Sequence, residues 1–361
     1  MKRWSVLLSC MFAMAATSAL ADPIADFYAG KQMKMIIRTG PGGGYDLYAR
    51  MLAAHMGKHI PGHPSILPVN MTGGGGIKAA TYVAEVAPRD GTILTIVSQG
   101  LPVTQALGLS PNFKDDLRKF NWIGNMTSAN QVTVVWHTSK TQSFADMMKR
   151  ETIIGSTGAG SISEQIPAIY ANVLGAKVKI VVGYPDGPDV NLAMQRGEVD
   201  GRGTNPWASY IAMTPDLVRD KKIIPIVQIG MKKDADLPDV PLLRDFAKTD
   251  EQRQILDFIS RSVTVGRPIA TTPGVPPERV AALRKAFDET LRDPAFLADA
   301  KKQRADIDLM TGQELAQLID DIINAPADIR DKVREAIKPT NVVKAPKEKT
   351  KKGTGNEAGK E

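Results

Sequence analysis

Ile36-Ile37-Arg38-Thr39-Gly40-Pro41-Gly42-Gly43-Gly44-Tyr45-Asp46 is the stretch from which the fold of this 361-residue chain can be read. It leaves an apolar, strand-like run, Met33 to Thr39, turns on Gly40 to Gly44, and enters a helix predicted from Asp46 to about Lys58. A strand, a glycine turn and a helix in that order open an α/β unit. In open α/β sheets ligands sit outside the carboxyl ends of the strands, where the N–H groups of helix N-termini favour anions.

Outward from this turn the pattern repeats. A strand near Ile66 to Asn70, glycines 73 to 76, a helix around Ile77 to Val86 and a strand from Thr92 to Ser98 complete one small βαβαβ set. A second set opens after Trp122 to Gly124. Its strands are predicted near Val132 to Trp136, Ile153 to Gly155, Val178 to Val182, Glu198 to Arg202 and Ile223 to Gln228; its helices lie near Phe144 to Arg150, Ser163 to Val173 and Pro188 to Arg196. Asp234 to Pro241 reads as a connector. Beyond it come a strand near Val263 to Ile269 and a helix from Pro276 that places Val280, Leu283, Phe287 and Leu291 on one face. Thr311-Gly312-Gln313-Glu314 is a capping-box pattern opening a helix to about Ile323. The expectation is an α/β protein with two largely parallel sheets, the last segment rejoining the first domain.

The ends bound the compartment and the charge. Lys2 and Arg3, an apolar run from Val6 to Ala19, and Ala19-Leu20-Ala21 have the form of a secretory signal peptide cleaved after Ala21. The apolar run is about fifteen residues, short of the roughly twenty that span a bilayer. Cys10, the single cysteine, would leave with it, which excludes disulfides, thiolate metal sites and a cysteine nucleophile from the expected mature chain. The formal charge of +7 also sits at the ends. Setting aside Lys2, Arg3 and the seven lysines and three glutamates from Lys338 onward leaves 37 basic against 36 acidic residues, which argues against a nucleic-acid partner. The Lys-, Pro- and Gly-rich tail, 338–361, reads as disordered.

A second glycine turn, Gly155-Ser156-Thr157-Gly158-Ala159-Gly160-Ser161, adds hydroxyls to the same arrangement. Neither turn fits a nucleotide motif: Tyr45 stands where a third glycine is needed, and no Walker lysine follows. Each alone could be no more than a tight turn, but the pair suits a carboxylate. Asp46 suits a helix start and an ion pair with Arg50 better than a ligand contact. No Gly-x-Ser-x-Gly elbow appears. His55 and His59 could share a helical face, but Gly57 and Pro61 weaken it and no carboxylate accompanies them in sequence, so neither a metal nor a cofactor is expected.

The ordered set of motifs resembles the Bug-type extracytoplasmic receptors of tripartite tricarboxylate transporters. The first turn with Ala49-Arg50 is similar to that family's Pro-Gly-Gly-x-x-Asp-x-x-Ala-Arg opening, and Gly73-Gly74-Gly75-Gly76 through Ala87-Pro88-Arg89-Asp90-Gly91-Thr92 to its glycine-rich stretch. The second turn, Gly183-Tyr184-Pro185-Asp186-Gly187, Gly197-Glu198-Val199-Asp200, Leu237-Pro238-Asp239-Val240-Pro241 and Thr272-Pro273-Gly274-Val275-Pro276 follow in order, so the resemblance runs from about Lys34 to Ile323.

It implies a two-domain periplasmic-binding-protein clamshell of type II-like form, each domain a small, mostly parallel sheet flanked by helices. Residues 22–125 with 233–337 would form one domain and 126–232 the other. The implied protein is a monomeric periplasmic receptor, not an enzyme, that hands a small organic carboxylate to membrane permease subunits. A sensor for a membrane signalling partner and an exported enzyme acting on a small acid are the other classes. Thr39, Gly42, Gly43, Ser156, Thr157, Gly160, Ser161 and Tyr184 match the family's ligand positions, and Ser98 and Gln99 end a neighbouring strand. Thr39 replaces a frequent aromatic and Pro185 a lysine, Gly201-Arg202-Gly203-Thr204-Asn205 replaces a Met-Phe-Asp run, and Ser161 to Gln165 lacks the usual histidine. These departures imply a roomier, more polar pocket that adds Arg202 and Thr204. Arg202 reads either as a cation for a second carboxylate or as a solvent-facing strand residue.

Overall fold

The alternation of strands and helices is built as two six-stranded sheets. A computed structural model of the chain describes residues 22–110, 113–128, 130–158 and 161–345; the expected leader (1–21), Gly160 and the tail beyond 345 lie outside them. The first sheet holds β1 (Gln32–Ile37), β2 (Ser65–Asn70), β3 (Ile93–Ile96), β4 (Asn121–Asn125), β10 (Pro268–Thr271) and β11 (Met310–Thr311), in the order β11-β4-β10-β3-β1-β2. The second holds β5 (Gln131–Trp136), β6 (Thr152–Ser156), β7 (Val178–Val182), β8 (Gly201–Pro206), β9 (Ile223–Ile229) and β12 (Val342–Lys344), in the order β12-β7-β6-β8-β5-β9.

Five strands of each sheet follow one scheme: β2-β1-β3-β10-β4 corresponds to β7-β6-β8-β5-β9. The sheets, expected to be largely parallel, are therefore mixed. β1 pairs parallel with β2 and β3, and β6 with β7 and β8, but β10 and β5 are each wedged antiparallel between two strands. Each wedged strand lies next to a crossing of the chain from one sheet to the other, and enters against the direction of its neighbours.

Burial follows the predicted spacing where the sequence is periodic. The helix Pro277–Arg292 buries Val280, Leu283, Phe287 and Leu291. Gly124 of β4 receives the Phe287 ring so closely that a Cβ there would stand 2.2 Å from it. Burying such a side chain stabilises the fold by about 1.5–3 kcal/mol. The capping box closes as expected, with the Thr311 N–H donating to Glu314 Oε2 at 2.9 Å.

Three expectations change. Where a strand was expected near Val263 to Ile269, the helix Asp250–Ser262 gives way to a single 3-10 turn, Val263–Val265, and β10 starts only at Pro268. That helix and a C-terminal one, Ala327–Ala336, pack with the second sheet's helix Ile162–Asn172: Gln252 Nε2 donates to the Val173 carbonyl at 2.8 Å and Asn172 Nδ2 to that of Ala336 at 2.9 Å. The last segment thus serves both sheets, and one apolar cluster runs from Val97 and Leu101 through Leu256 and Ile259 to Ile154 and Tyr170. The third change is in the tail. Its composition predicts disorder from Lys338, but Val342 and Val343 supply a β-branched pair, and Val342–Lys344 adds to the open edge of β7 as a parallel strand. Among the described residues no helix is long and apolar enough to cross a membrane.

Candidate ligand cleft

The carboxyl ends of β1, β2 and β3 face those of β6, β7 and β8 around a cavity of about 440 Å³. The first glycine turn is held from behind. Asp46, buried at the start of the helix Gly44–Met56, accepts the Gly42 N–H at 3.0 Å, Arg50 Nε at 2.9 Å and Asn70 Nδ2 at 2.8 Å. Burial would raise its carboxyl, but these hydrogen bonds outweigh it and hold the group below its usual range. Asp46 lies outside the cavity lining, so the motif aspartate shapes the turn.

In front of the turn stand two guanidinium groups. Arg38, just past β1, donates to the Gly75 carbonyl at 3.0 Å and lies 4.4 Å from the centre of the Tyr45 ring. Arg267, just before β10, lies 4.1 Å from the same ring. The Tyr45 hydroxyl accepts the Gln99 N–H at 3.1 Å. Gly76, at φ +105°, leaves room for this stack; a Cβ there would meet Arg38 Nε at 2.6 Å.

Arg267 also bridges the two sheets: Nη2 donates to Ser209 Oγ, beyond β8, at 2.8 Å, and Nη1 to Gln99 Oε1 at 3.4 Å. Gly44 makes that approach possible, since a Cβ would stand 2.7 Å from the Ser209 hydroxyl. On the second sheet Arg202 donates to Asn191 Oδ1 at 3.2 Å and Asn205 Oδ1 at 3.0 Å. It is 8% exposed and lines the cleft, so it is not the solvent-facing residue that its place on a strand allowed. Burial lowers the pKa of Arg38 and of Arg202, and Arg267 lowers both further, yet an arginine stays charged throughout the physiological range.

The second turn carries no charge. Ser163, in the first turn of the helix Ile162–Asn172, is its hub. Its Oγ accepts the Thr157 N–H at 3.1 Å and lies 3.1, 2.9 and 3.1 Å from the hydroxyls of Ser156, Ser161 and Thr157. Beside it Tyr210, whose hydroxyl is pushed up to about 12 by burial against the pull of Arg202, closes the wall.

Thr39, Gly42, Gly43, Ser98, Gln99, Thr157, Ser161, Arg202 and Thr204 line this cavity. Two expected residues do not. The Ser156 hydroxyl is fully buried behind Ser161 and Ser163. Tyr184 turns instead into an apolar cluster of the second sheet, with Val190 and Val199. Gly160 lies outside the described residues. Arg38, Tyr45, Ser163, Arg267 and Gln131 line the cleft without having been singled out. Arg267 did leave a signal, a lone cation in the apolar run Val263 to Ile269. His55 and His59 meet carboxylates that the sequence kept distant, Asp299 at 3.1 Å and Asp293 at 2.9 Å. Among the described residues no group of three or more His, Cys, Asp or Glu could hold a metal ion.

Buried polar atoms without a hydrogen-bond partner concentrate here. Of sixteen such side-chain atoms among the described residues, eight belong to this lining: Arg38, Arg202 and Arg267 Nε, both amide atoms of Gln131, and the hydroxyls of Thr39, Thr204 and Tyr210. Native interiors leave few polar groups unpaired, so this cluster makes the cleft the candidate site for a polar ligand.

A family model described as tripartite tricarboxylate transporter family receptor matches residues 48–334. The chain belongs to this receptor family. Protein BugT of Bordetella pertussis is 30% identical over 125 residues, which spans 33% of this chain and 37% of that relative. Solved structures share the fold. The periplasmic binding protein BugD superposes with a TM-score of 0.66 at 17% identity, over 86% of this chain and 98% of its own. MatC of Rhodopseudomonas palustris, with bound malate, gives 0.65 at 22%, over 84% and 99%. A second R. palustris protein, with adipate, gives 0.66 at 18%, over 84% and 97%. The chain thus joins membership of this receptor family to the α/β architecture of periplasmic binding proteins.

Proposed function

We propose that this receptor works in the periplasm, captures a small organic carboxylate between its two sheets and delivers it, chemically unchanged, to a membrane permease of the tripartite tricarboxylate type. The observation that carries the reading is the set of buried, unpartnered polar atoms on both walls of one cleft, the Nε atoms of three arginines among them. A carboxylate supplies the acceptors these donors lack, and charge-assisted hydrogen bonds are the strong ones. A ligand touching both walls stabilises the closed arrangement more than an open one, so capture and closure are linked. On this reading the protein acts as a monomer, and its residues bind without catalysing.

The test is a thermal-shift series of mono-, di-, tri- and aromatic carboxylates, with the bound acid recovered and weighed by mass spectrometry. A ligand specific for the folded state raises the melting temperature, by an amount equivalent to about 2.7 kcal/mol at a hundredfold excess over Kd. The expected result is a concentration-dependent rise with an acid recovered intact. Absence of a shift across the series, or recovery of a converted product, contradicts the reading.

A further inference from the structure

The chain passes from the first sheet to the second between β4 and β5, returns between β9 and β10, and passes over a third time between β11 and β12. A sheet set into the chain between the strands of another needs only the first two passages. The end of the third, residues 338–345, lies beyond the stretch that the family model matches. This passage is stitched on both sides. In the helix Ala327–Ala336, Arg334 Nε donates at 2.8 Å to the carbonyl of Leu107, which ends the helix Leu101–Ala106 beyond β3. On the second sheet's side, Asn172 Nδ2 donates to the carbonyls of Ala336 at 2.9 Å and Lys338 at 2.8 Å, and Asn172 Oδ1 accepts the Thr340 hydroxyl at 2.6 Å. Asn341 then turns the chain at φ +55°, a left-handed value that asparagine visits more readily than most residues, and its Nδ2 reaches the Val178 carbonyl at 3.2 Å.

From there β12 runs parallel to β7: the Ile180 N–H donates to the Asn341 carbonyl at 3.0 Å and the Ala345 N–H to the Val182 carbonyl at 2.8 Å. Parallel pairing brings Ala345 to the carboxyl end of β7, the end that faces the cleft. Val182 is the last residue of β7, and the loop beyond it brings Pro185, Asp186 and Gly187 into the cleft lining. Ala345 packs against the apolar cluster that holds Tyr184 and Val190, at the base of that loop. A strand that only covered the edge of β7 would need no anchor on the first sheet's side. We infer that residues 327–345 form a strap that restrains opening of the cleft, held to the first sheet's side at Leu107, to the second at Asn172 and β7, and setting the loop Gly183–Gly187 in place at its end. Opening a two-part cleft turns one side against the other about the connecting segments, and a third connection anchored on both sides narrows that motion. Apparent affinity falls with the fraction of the chain in its binding-competent arrangement, so the restraint strengthens capture without touching the ligand. The inference goes beyond the carboxylate reading, and its test uses no ligand, so either can fail alone.

The test compares ligand-free proteins by small-angle X-ray scattering and amide hydrogen exchange. The references are the full-length receptor and a chain stopped after Ala345. The variants are a chain stopped after Ile337 and, in the full-length receptor, Asn172→Ala combined with Ala345→Pro, which releases both ends of the final stretch. Each variant should keep the far-UV circular dichroism of its reference and show a larger radius of gyration. Amides between Gly183 and Gly187 should exchange at least about tenfold faster, the change expected when one or two supporting hydrogen bonds are lost. An unchanged radius of gyration in a folded variant, even with faster exchange in the loop, would overturn the inference, since the strand would then only cover an edge. The wild type decides even if both variants fail to fold: the Ile180 and Ala345 amides should be protected, and exchange there at the rate of an unstructured chain would overturn it.

Discussion

The two glycine turns follow corresponding strands, β1 and β6, in sheets of the same strand order, yet they are built differently. The first is pinned from behind by a buried carboxylate, Asp46, and faced by Arg38 and Arg267. The second is held without a charged group, by hydroxyls and backbone N–H groups gathered on Ser163 at the start of a helix. The difference separates two tasks that the glycine pattern ran together. Turns and helix starts supply oriented hydrogen bonds, whereas the charge comes from residues beside strands, Arg38 and Arg267, and from Arg202 on one.

The comparison is most exposed to a change at Arg267, which supplies charge and also bridges the sheets through Ser209. Arg267→Gln should weaken capture of a carboxylate hit by about 2–3 kcal/mol, seen by calorimetry as a loss of more than tenfold. An unchanged affinity would mean that the first wall does not carry the charge.

On the second wall the hub should matter more than the residue behind it. Ser163→Ala is expected to cost about 1–2 kcal/mol of binding by calorimetry, and Ser156→Ala less. The reverse order would place the ligand against Ser156 and undo the assignment of that wall.

The smallest effect on binding belongs to Asp46, whose role is to hold the turn. Asp46→Asn should lower stability at neutral pH by about 1–3 kcal/mol, because it weakens three hydrogen bonds made to a carboxylate. The pH dependence has a defined sign. With its folded pKa held below the usual value of about 4, Asp46 contributes stability that is complete above that value and is lost as pH falls through the folded pKa. The gap in melting temperature between wild type and Asp46→Asn should therefore narrow below about pH 4. A gap independent of pH would show that the carboxylate's charge is not what holds the turn.

The sequence made most of the scaffold legible, because glycine turns and the stripe Val280, Leu283, Phe287, Leu291 are local signals set by backbone sterics and burial. It concealed the wedged strands β10 and β5, whose pairing depends on contacts between distant segments. The cleft was legible in part for the same reason. Thr39, Gly42, Thr157 and Arg202 belong to turns or strands that could be placed in order along the chain. Arg267 is brought to Tyr45 and Gln99 by tertiary structure alone, across more than half the chain in the case of Tyr45 and 168 residues in that of Gln99. Ser156 and Tyr184 matched a motif, but their side-chain directions are decided by packing: one hydroxyl turns to Ser163, and one ring joins the cluster of Val190 and Val199.

The most direct test of the central claim is a crystal structure of the receptor with the best acid from the thermal-shift series. The account predicts a carboxylate held between the Gly42–Gly43 turn and the Thr157–Ser163 web, with guanidinium nitrogens of Arg38 or Arg267 and of Arg202 within hydrogen-bonding distance. An acid bound outside this cleft, or bound within it with the three arginines turned away, would contradict it.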